Sequence, residues 1–258
     1  DTDTELKMLR AIRRADEVVP ISVVPTACIG HAIDPEVDRA AFVRRTIEET
    51  LPAVSDAFPG IALDAYCETG AWSREDCVAL FDAAQAAGHP IRVHADQFNA
   101  LGMIDEAVRR GYASVDHLEA TDAAGLRRLA GSPVFGVMLP ASGFHLDERY
   151  GDGRTFIDAG GRLAIASNYN PGSAPCLAMP FVIQLAVRKL GLTVDEALDA
   201  ATAAGAELLD LSDRGRIEAG LRADLVVLDA TDVRSLAFEF GGNPVLRTLI
   251  GGRWAGAS

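Results

Sequence analysis

Six short apolar runs recur along the chain: VVPISVVPTACIG (18–30), IALDAYCE (61–68), IRVHAD (91–96), ASVDHLE (113–119), VFGVML (134–139) and RLAIASN (162–168). Each is rich in Val, Ile, Leu or Ala with little polar alternation, the pattern of strands buried on both faces of a parallel sheet. Between them lie stretches with helical periodicity, at 35–57, 73–88, 99–111, 121–131 and 148–161, several of them closed by glycine. Repeated strand and helix units predict an α/β fold. The opening DTDTELKMLRAIRRADEV predicts a helix with Leu6, Leu9 and Ile12 toward a core and Asp3 or Thr4 as N-cap. A helix so early, without an initiator Met or a strand to pack on, predicts the interior of a longer protein.

Two more helices are expected at 179–191 and 193–211, and the pattern changes at about residue 212. Segments 215–236 and 243–258 have the look of short strands joined by tight turns, a small all-β appendage resembling half of a sandwich. The expected division is therefore 1–211 and 212–258.

The polar residues choose the kind of α/β fold. His31, Glu68, His94, His117 and Asn168 each close an apolar run. In a (β/α)8 barrel the C-terminal strand ends converge on one face and build the active site. A doubly wound sheet would want a glycine-rich phosphate turn after an early strand, and no G-x-G-x-x-G is present. Six strands leave such a barrel without its first two.

Composition narrows the partners. A net charge of −13 argues against a nucleic-acid partner, which needs clustered Lys and Arg. No run reaches the roughly 20 apolar residues of a membrane span and no signal peptide opens the chain, so a cytoplasmic location is expected. Cys28, Cys67, Cys77 and Cys176 have no metal-knuckle or disulfide spacing and are expected to be buried free thiols.

Three of the five histidines stand at strand ends. His94 is followed by Asp96 and Gln97, His117 lies beside Asp116 and Glu119, and His31 closes an earlier strand. A lone histidine is more often structural, but imidazoles grouped this way hold a metal or move a proton, with neighbouring carboxylates to orient them. His89 and His145 lack that context and are expected at the surface or in loops. In AIASNYNPGSAP (164–175), Asn168 and Asn170 place two carboxamides where a buried strand ends. Recognition of a ligand is one reading of Asn170, and the capping of a turn before Pro171 is the other.

The motifs VHADQFN, SVDHLEA, NYNPGSAP and GRIEAGLRADLVVLD together resemble the imidazolonepropionase family of metal-dependent amidohydrolases, over essentially the whole chain. ELKMLR, GHAIDPE and the Leu139-Pro140 pair add to the likeness. The resemblance implies a (β/α)8 barrel and hydrolysis of the cyclic amide 4-imidazolone-5-propanoate to N-formimidoyl-L-glutamate. It further implies one Zn or Fe ion, a small-molecule substrate and a homodimer. His94 matches a metal-ligating histidine, and Asn168 stands at the metal-binding aspartate position. His117 matches a residue that polarises the carbonyl or shuttles a proton, and Gln97, which stands where many relatives carry glutamate, is expected beside it as a catalytic residue. His31, Gln97, Asn170, Gly172 and Ser173 match positions that hold substrate or product. The family's H-x-H metal pair would lie before residue 1. Another cyclic amide or an amino-heterocycle as substrate, and a catalytically silent binding relative, are the alternatives.

Overall fold

The computed structural model describes residues 1–256; positions 257–258, at the end of the segment predicted to close the appendage, lie outside the described residues. The chain divides into two compact units. The first holds Asp1–Thr121 and Ser132–Val134, the second Asp122–Gly131 and everything from Phe135 onward.

In the first unit four strands run parallel in sequence order: β1 (Thr26–Gly30), β2 (Ala62–Cys67), β3 (Ile91–Ala95) and β4 (Ser114–His117). Only the last five residues of the first apolar run form strand, because Pro20 and Pro25 carry no N–H for a ladder. The register aligns Tyr66, His94 and Asp116 across β2, β3 and β4, with Asp64, Arg92 and Ser114 aligned two residues earlier. Residues so paired share a face, so both rows look toward one side of the sheet. Leu63, Ala65, Val93, Ala95 and Val115 alternate with them and are buried.

Helices link these strands. The opening helix, Thr2–Val18, buries Leu9 and is capped by Asp1, whose side chain accepts from Thr4 N, not by Asp3 or Thr4. Asp1 wins because it directly precedes the first helical residue, so its carboxylate reaches the free N–H of Thr4 in the first turn while its own carbonyl accepts from Glu5 N. The stretch predicted as one helix over 35–57 starts at Arg39 and widens into a π turn, Thr46–Thr50, before continuing as Leu51–Ala57. Pro52, at the start of that last segment, has no N–H to return to the preceding turn, which accounts for the widened register. Arg74–Ala86 and Met103–Arg110 complete the unit. His89 lies in the loop before β3, one of the two positions expected for it, and is buried there, with Ile61 O 2.8 Å from Nδ1 and Ser55 Oγ 2.7 Å from Nε2. Cys67 and Cys77 are buried free thiols as expected, whereas Cys28 is exposed and Cys176 partly so.

In the second unit β5 (Phe135–Met138) and β6 (Leu163–Ile165) pair in parallel. Phe135, Val137, Leu139, Ala164 and Ala204 form a buried cluster there. Helices Ala123–Ala130, Gly153–Asp158, Met179–Lys189, Val194–Ala201 and Ala203–Leu208 surround them. The 193–211 helix is interrupted at Thr202, which leaves helical geometry with φ −128°. A further helix, Pro140–His145, directly follows β5. β7 (Leu225–Leu228), β8 (Val245–Ile250) and β9 (Arg253–Trp254) form an antiparallel sheet, with one helical turn, Ser235–Phe238, between the first two. Gln184 and Arg188 of Met179–Lys189 bond backbone carbonyls at Ala237, Phe238 and Glu239, tying this segment to the helix.

Candidate active site

Three imidazoles stand in a row at the strand ends of the first unit. Ring centroids of His31 and His94 are 4.9 Å apart, and those of His94 and His117 5.4 Å, each pair meeting edge to face. The sequence reading placed all three at strand ends, and the first unit brings them together. Their partner is a residue it passed over: Asp64, in the middle of β2. Its Oδ2 lies 2.8 Å from His94 Nδ1 and 3.5 Å from His31 Nε2. Asp116 Oδ2 is 3.9 Å from His94 Nδ1, and Asp116 Oδ1 accepts from Ser114 Oγ at 2.7 Å. His117 Nδ1 faces Glu119 Oε1 at 3.1 Å.

Burial works against a charged imidazole, but the neighbouring carboxylates outweigh it: His31, through Asp64, and His94, through Asp64, Asp116 and Glu119, are both raised to about 9. Asp64 is only 3% exposed, and the two imidazoles hold it well below the usual carboxylate range against its burial. Burial, with the charge of Asp64, pushes Asp116 up despite the pull of His94.

Glu68, just past β2, anchors the loop that follows β3. Its Oε2 accepts from the backbone N–H of Phe98 (2.9 Å) and Asn99 (3.1 Å), and its Oε1 from Asn99 Nδ2 and the N–H of Thr69, both at 2.7 Å. These donors hold its carboxyl below the ordinary range although burial opposes them. Gln97 sits within that loop, buried, and its Oε1 accepts from Tyr66 Oη at 2.7 Å. Burial and the charges of Glu68 and Glu119 push the Tyr66 hydroxyl well above its usual range.

The backbone is constrained where these side chains emerge. Asp96, His117, Leu118 and Asn168 have φ of 57°, 92°, 71° and 51°, a left-handed region that non-glycine residues seldom occupy. Such conformations persist where surrounding structure over-determines them, as at working sites.

The other proposed residues lie in the second unit. Asn168 Nδ2 donates to Ser142 Oγ at 2.8 Å, on the helix Pro140–His145. Asn170 organises its own loop: Oδ1 accepts from the N–H of Gly172 (2.9 Å) and Ser173 (2.7 Å), and Nδ2 donates to Asn168 O (2.7 Å) and Ser173 Oγ (2.8 Å). Both its amide ends are engaged there, as the turn-capping reading expects.

The donor set of the first unit suits a metal ion. Asp64, His94 and Asp116 bring a ring nitrogen and two carboxylate oxygens within 4.8 Å of one another, and Asp64 Oδ1 is buried with no hydrogen-bond partner among the described residues. Nitrogen and carboxylate oxygen donors fit Zn or Fe.

A (β/α) succession with histidines at the C-terminal strand ends defines a class of barrel hydrolase, and comparison with known proteins agrees. The model of the amidohydrolase family matches residues 39–253, and the chain belongs to that family. It is 41% identical over 252 residues to the imidazolonepropionase of Deinococcus radiodurans, covering 98% of this chain and 62% of that protein. The chain thus spans about three fifths of that relative's length. Among solved structures it resembles guanine deaminase from C. acetobutylicum with guanine bound (TM-score 0.74, 14% identity, 98% of this chain and 69% of that one). It also resembles an adenosine deaminase from Xanthomonas campestris with bound Zn (TM-score 0.64, 19% identity, 87% and 59%). The strands and helices are those of an amidohydrolase (β/α) barrel, followed by a small antiparallel sheet.

Proposed function

We propose that the protein containing this chain is a metal-dependent hydrolase that opens the ring of 4-imidazolone-5-propanoate to N-formimidoyl-L-glutamate, a step of histidine breakdown. The observation that carries the reading is the row His31, His94 and His117 with Asp64 and Glu119 beside it. The similarity to imidazolonepropionase over 98% of the chain supplies the substrate. In this reading residues 1–211 belong to the barrel and 212–258 to its appendage, and the protein is a cytoplasmic homodimer.

His94 of the first unit, with Asp64 and Asp116 beside it, would hold one Zn or Fe ion, and Asn168 of the second unit is proposed as a metal ligand on the resemblance to imidazolonepropionase alone. When bound, such an ion lowers the pKa of a coordinated water toward about 7 and polarises a carbonyl. The proton work falls to His117. Glu119 orients its Nδ1, which leaves the second ring nitrogen to give or take a proton. Gln97 carries an amide and takes no proton; its Oε1 is held by Tyr66 and its NH2 group serves as a donor to the ring. By the family resemblance, His31 of the first unit and Asn170, Gly172 and Ser173 of the second are proposed as substrate-binding residues, the loop taking a shape that Asn170 sets.

The test is incubation of purified protein with 4-imidazolone-5-propanoate and graded Zn or Fe, with N-formimidoyl-L-glutamate followed by chromatography. Product that scales with bound metal is the expected result, and a metal-loaded protein that forms none overturns it. Asn168 and Gln97, both carboxamides, favour a second reading, a binding protein without turnover. Substrate bound intact by the metal-free chain would support that one.

A further inference from the structure

We infer that Cys28, His31 and Asp64 form a second metal site in the first unit, one that takes a thiophilic divalent ion such as Zn through a thiolate, an imidazole and a carboxylate. The inference goes beyond the proposed reaction and stands whether or not an ion sits at His94.

The first observation is an irregularity of the sheet that brings the three side chains together. Side chains of a regular strand alternate between faces, so Cys28 in β1 and His31 directly after it, three residues apart, would point opposite ways. Between β1 and β2 the register pairs Ala27 with Leu63 and Gly30 with Ala65, so three steps along β1 match two along β2. The extra residue of such a bulge re-aims the side chains around it. Cys28 Sγ, a ring nitrogen of His31 and a carboxylate oxygen of Asp64 thus lie within 4.8 Å of one another.

The second observation is that these donors have no stronger engagement. His31 Nε2 and Asp64 Oδ1 are buried atoms without a hydrogen-bond partner among the described residues, and Asp64 is only 3% exposed. Cys28 Sγ donates to Thr26 O at 3.9 Å, a long contact that is easily surrendered. His31 Nε2 stands 3.5 Å from Asp64 Oδ2, beyond the ordinary N–H···O range of about 2.7–3.2 Å. Two ligands each about 2.1 Å from a tetrahedral ion are themselves about 3.4 Å apart, so this gap suits the edge of a coordination shell. A thiolate beside an imidazole selects Zn over Mg or Ca, and the exposure of Cys28 gives the ion a way in. Asp64 also belongs to the group around His94. A carboxylate has an oxygen for each of two ions, so one site leaves the other open.

The experiment titrates Co(II) and then Zn into this chain, reduced and metal-free, and reads the absorbance and the number of ions bound. The expected result is a thiolate-to-Co(II) charge-transfer band in the near ultraviolet that Zn erases. Cys28→Ser should abolish the band, His31→Ala should move its midpoint to higher Co(II), and Cys176→Ser, at the partly exposed thiol of the second unit, should leave it intact. A wild type without the band overturns the inference, and so does a band that survives Cys28→Ser. His94→Ala separates the two sites: a band that it leaves in place supports a distinct site, and one that it abolishes overturns it. An ion that binds without the band and is lost in His94→Ala overturns the inference and leaves the proposed metal centre standing. Should Cys28→Ser fail to fold, X-ray absorption at the Zn edge of Cys176→Ser decides. A sulfur neighbour at about 2.3 Å supports the inference, and neighbours of nitrogen and oxygen only overturn it.

Discussion

Glu68 shows how one side chain can hold a loop. It is 4% exposed and accepts four N–H groups, three of them from residues 98–99 beyond β3. Bonds to a charged acceptor are worth more than neutral ones, and losing the acceptor strands the buried donors. Glu68→Ala should destabilise the first unit by about 3 kcal/mol in chemical denaturation. It should also speed amide exchange at Phe98 and Asn99 far more than at Val93. Glu68 was legible in the sequence as a charge closing an apolar run. Asp64 was not, because a lone carboxylate in the middle of IALDAYCE is masked by the hydrophobic residues around it. Period two does put Asp64, Tyr66 and Glu68 on one face, and that was the available signal. Asn170 left two readings open because the same carboxamide serves a ligand or its own turn equally well. Only the loop's backbone path shows that its amide ends are engaged locally.

Between elements, close approach and ion pairing make the relevant predictions. A Cβ on Gly30 would lie 2.5 Å from Ala65 Cβ and 3.1 Å from Ala65 Cα, where β1 shifts register against β2. Gly30→Ala should therefore cost about 1–3 kcal/mol and lower the melting temperature, as overpacking does. It should also disturb His31, the next residue, and weaken whatever His31 binds. In the second unit Glu196 caps its own helix through Thr193 and pairs with Arg154 at 2.8 Å and 3.0 Å. The Arg154 guanidinium, then the Thr193 N–H, hold the Glu196 carboxyl down to about 2. A lowered folded-state value means that the stabilisation is complete above the ordinary carboxylate value, near 4.5, and vanishes as pH falls toward about 2. The gap in melting temperature between wild type and Glu196→Gln should be steady above pH 5 and close between pH 4.5 and 2. That capping box is a plain sequence signature. The helix Pro140–His145 is less so: Pro140 and Gly143 suggest a break, yet proline is at home in a first helical turn.

For the molecule as a whole, metal linkage is the sharpest expectation. An ion bound by the folded chain and not by the unfolded one stabilises it by about 2.7 kcal/mol at a hundredfold excess over Kd. Added Zn should raise the melting temperature and a chelator should reverse the rise. An unchanged melting curve across the Zn titration would remove the metal from the account. The six-strand succession underlying this was legible, since strands buried on both faces leave continuous apolar runs. The bounds were not. Prolines trimmed β1, Pro52 opened a π turn and Thr202 divided a helix, each a local backbone event that hydrophobic period does not encode.

The sequence alone determined the alternation of strand and helix, the placement of His31, His94 and His117 at strand ends, and the resemblance to imidazolonepropionase. Burial pattern and turn chemistry are local properties and survive in one dimension. Tertiary structure decided that Asp64 faces two of those histidines, that Tyr66 holds Gln97, that Glu68 fastens the loop after β3, and that His89 is buried. These depend on register between strands that lie far apart along the chain, and register is set by the packing of a whole sheet rather than by any segment of it.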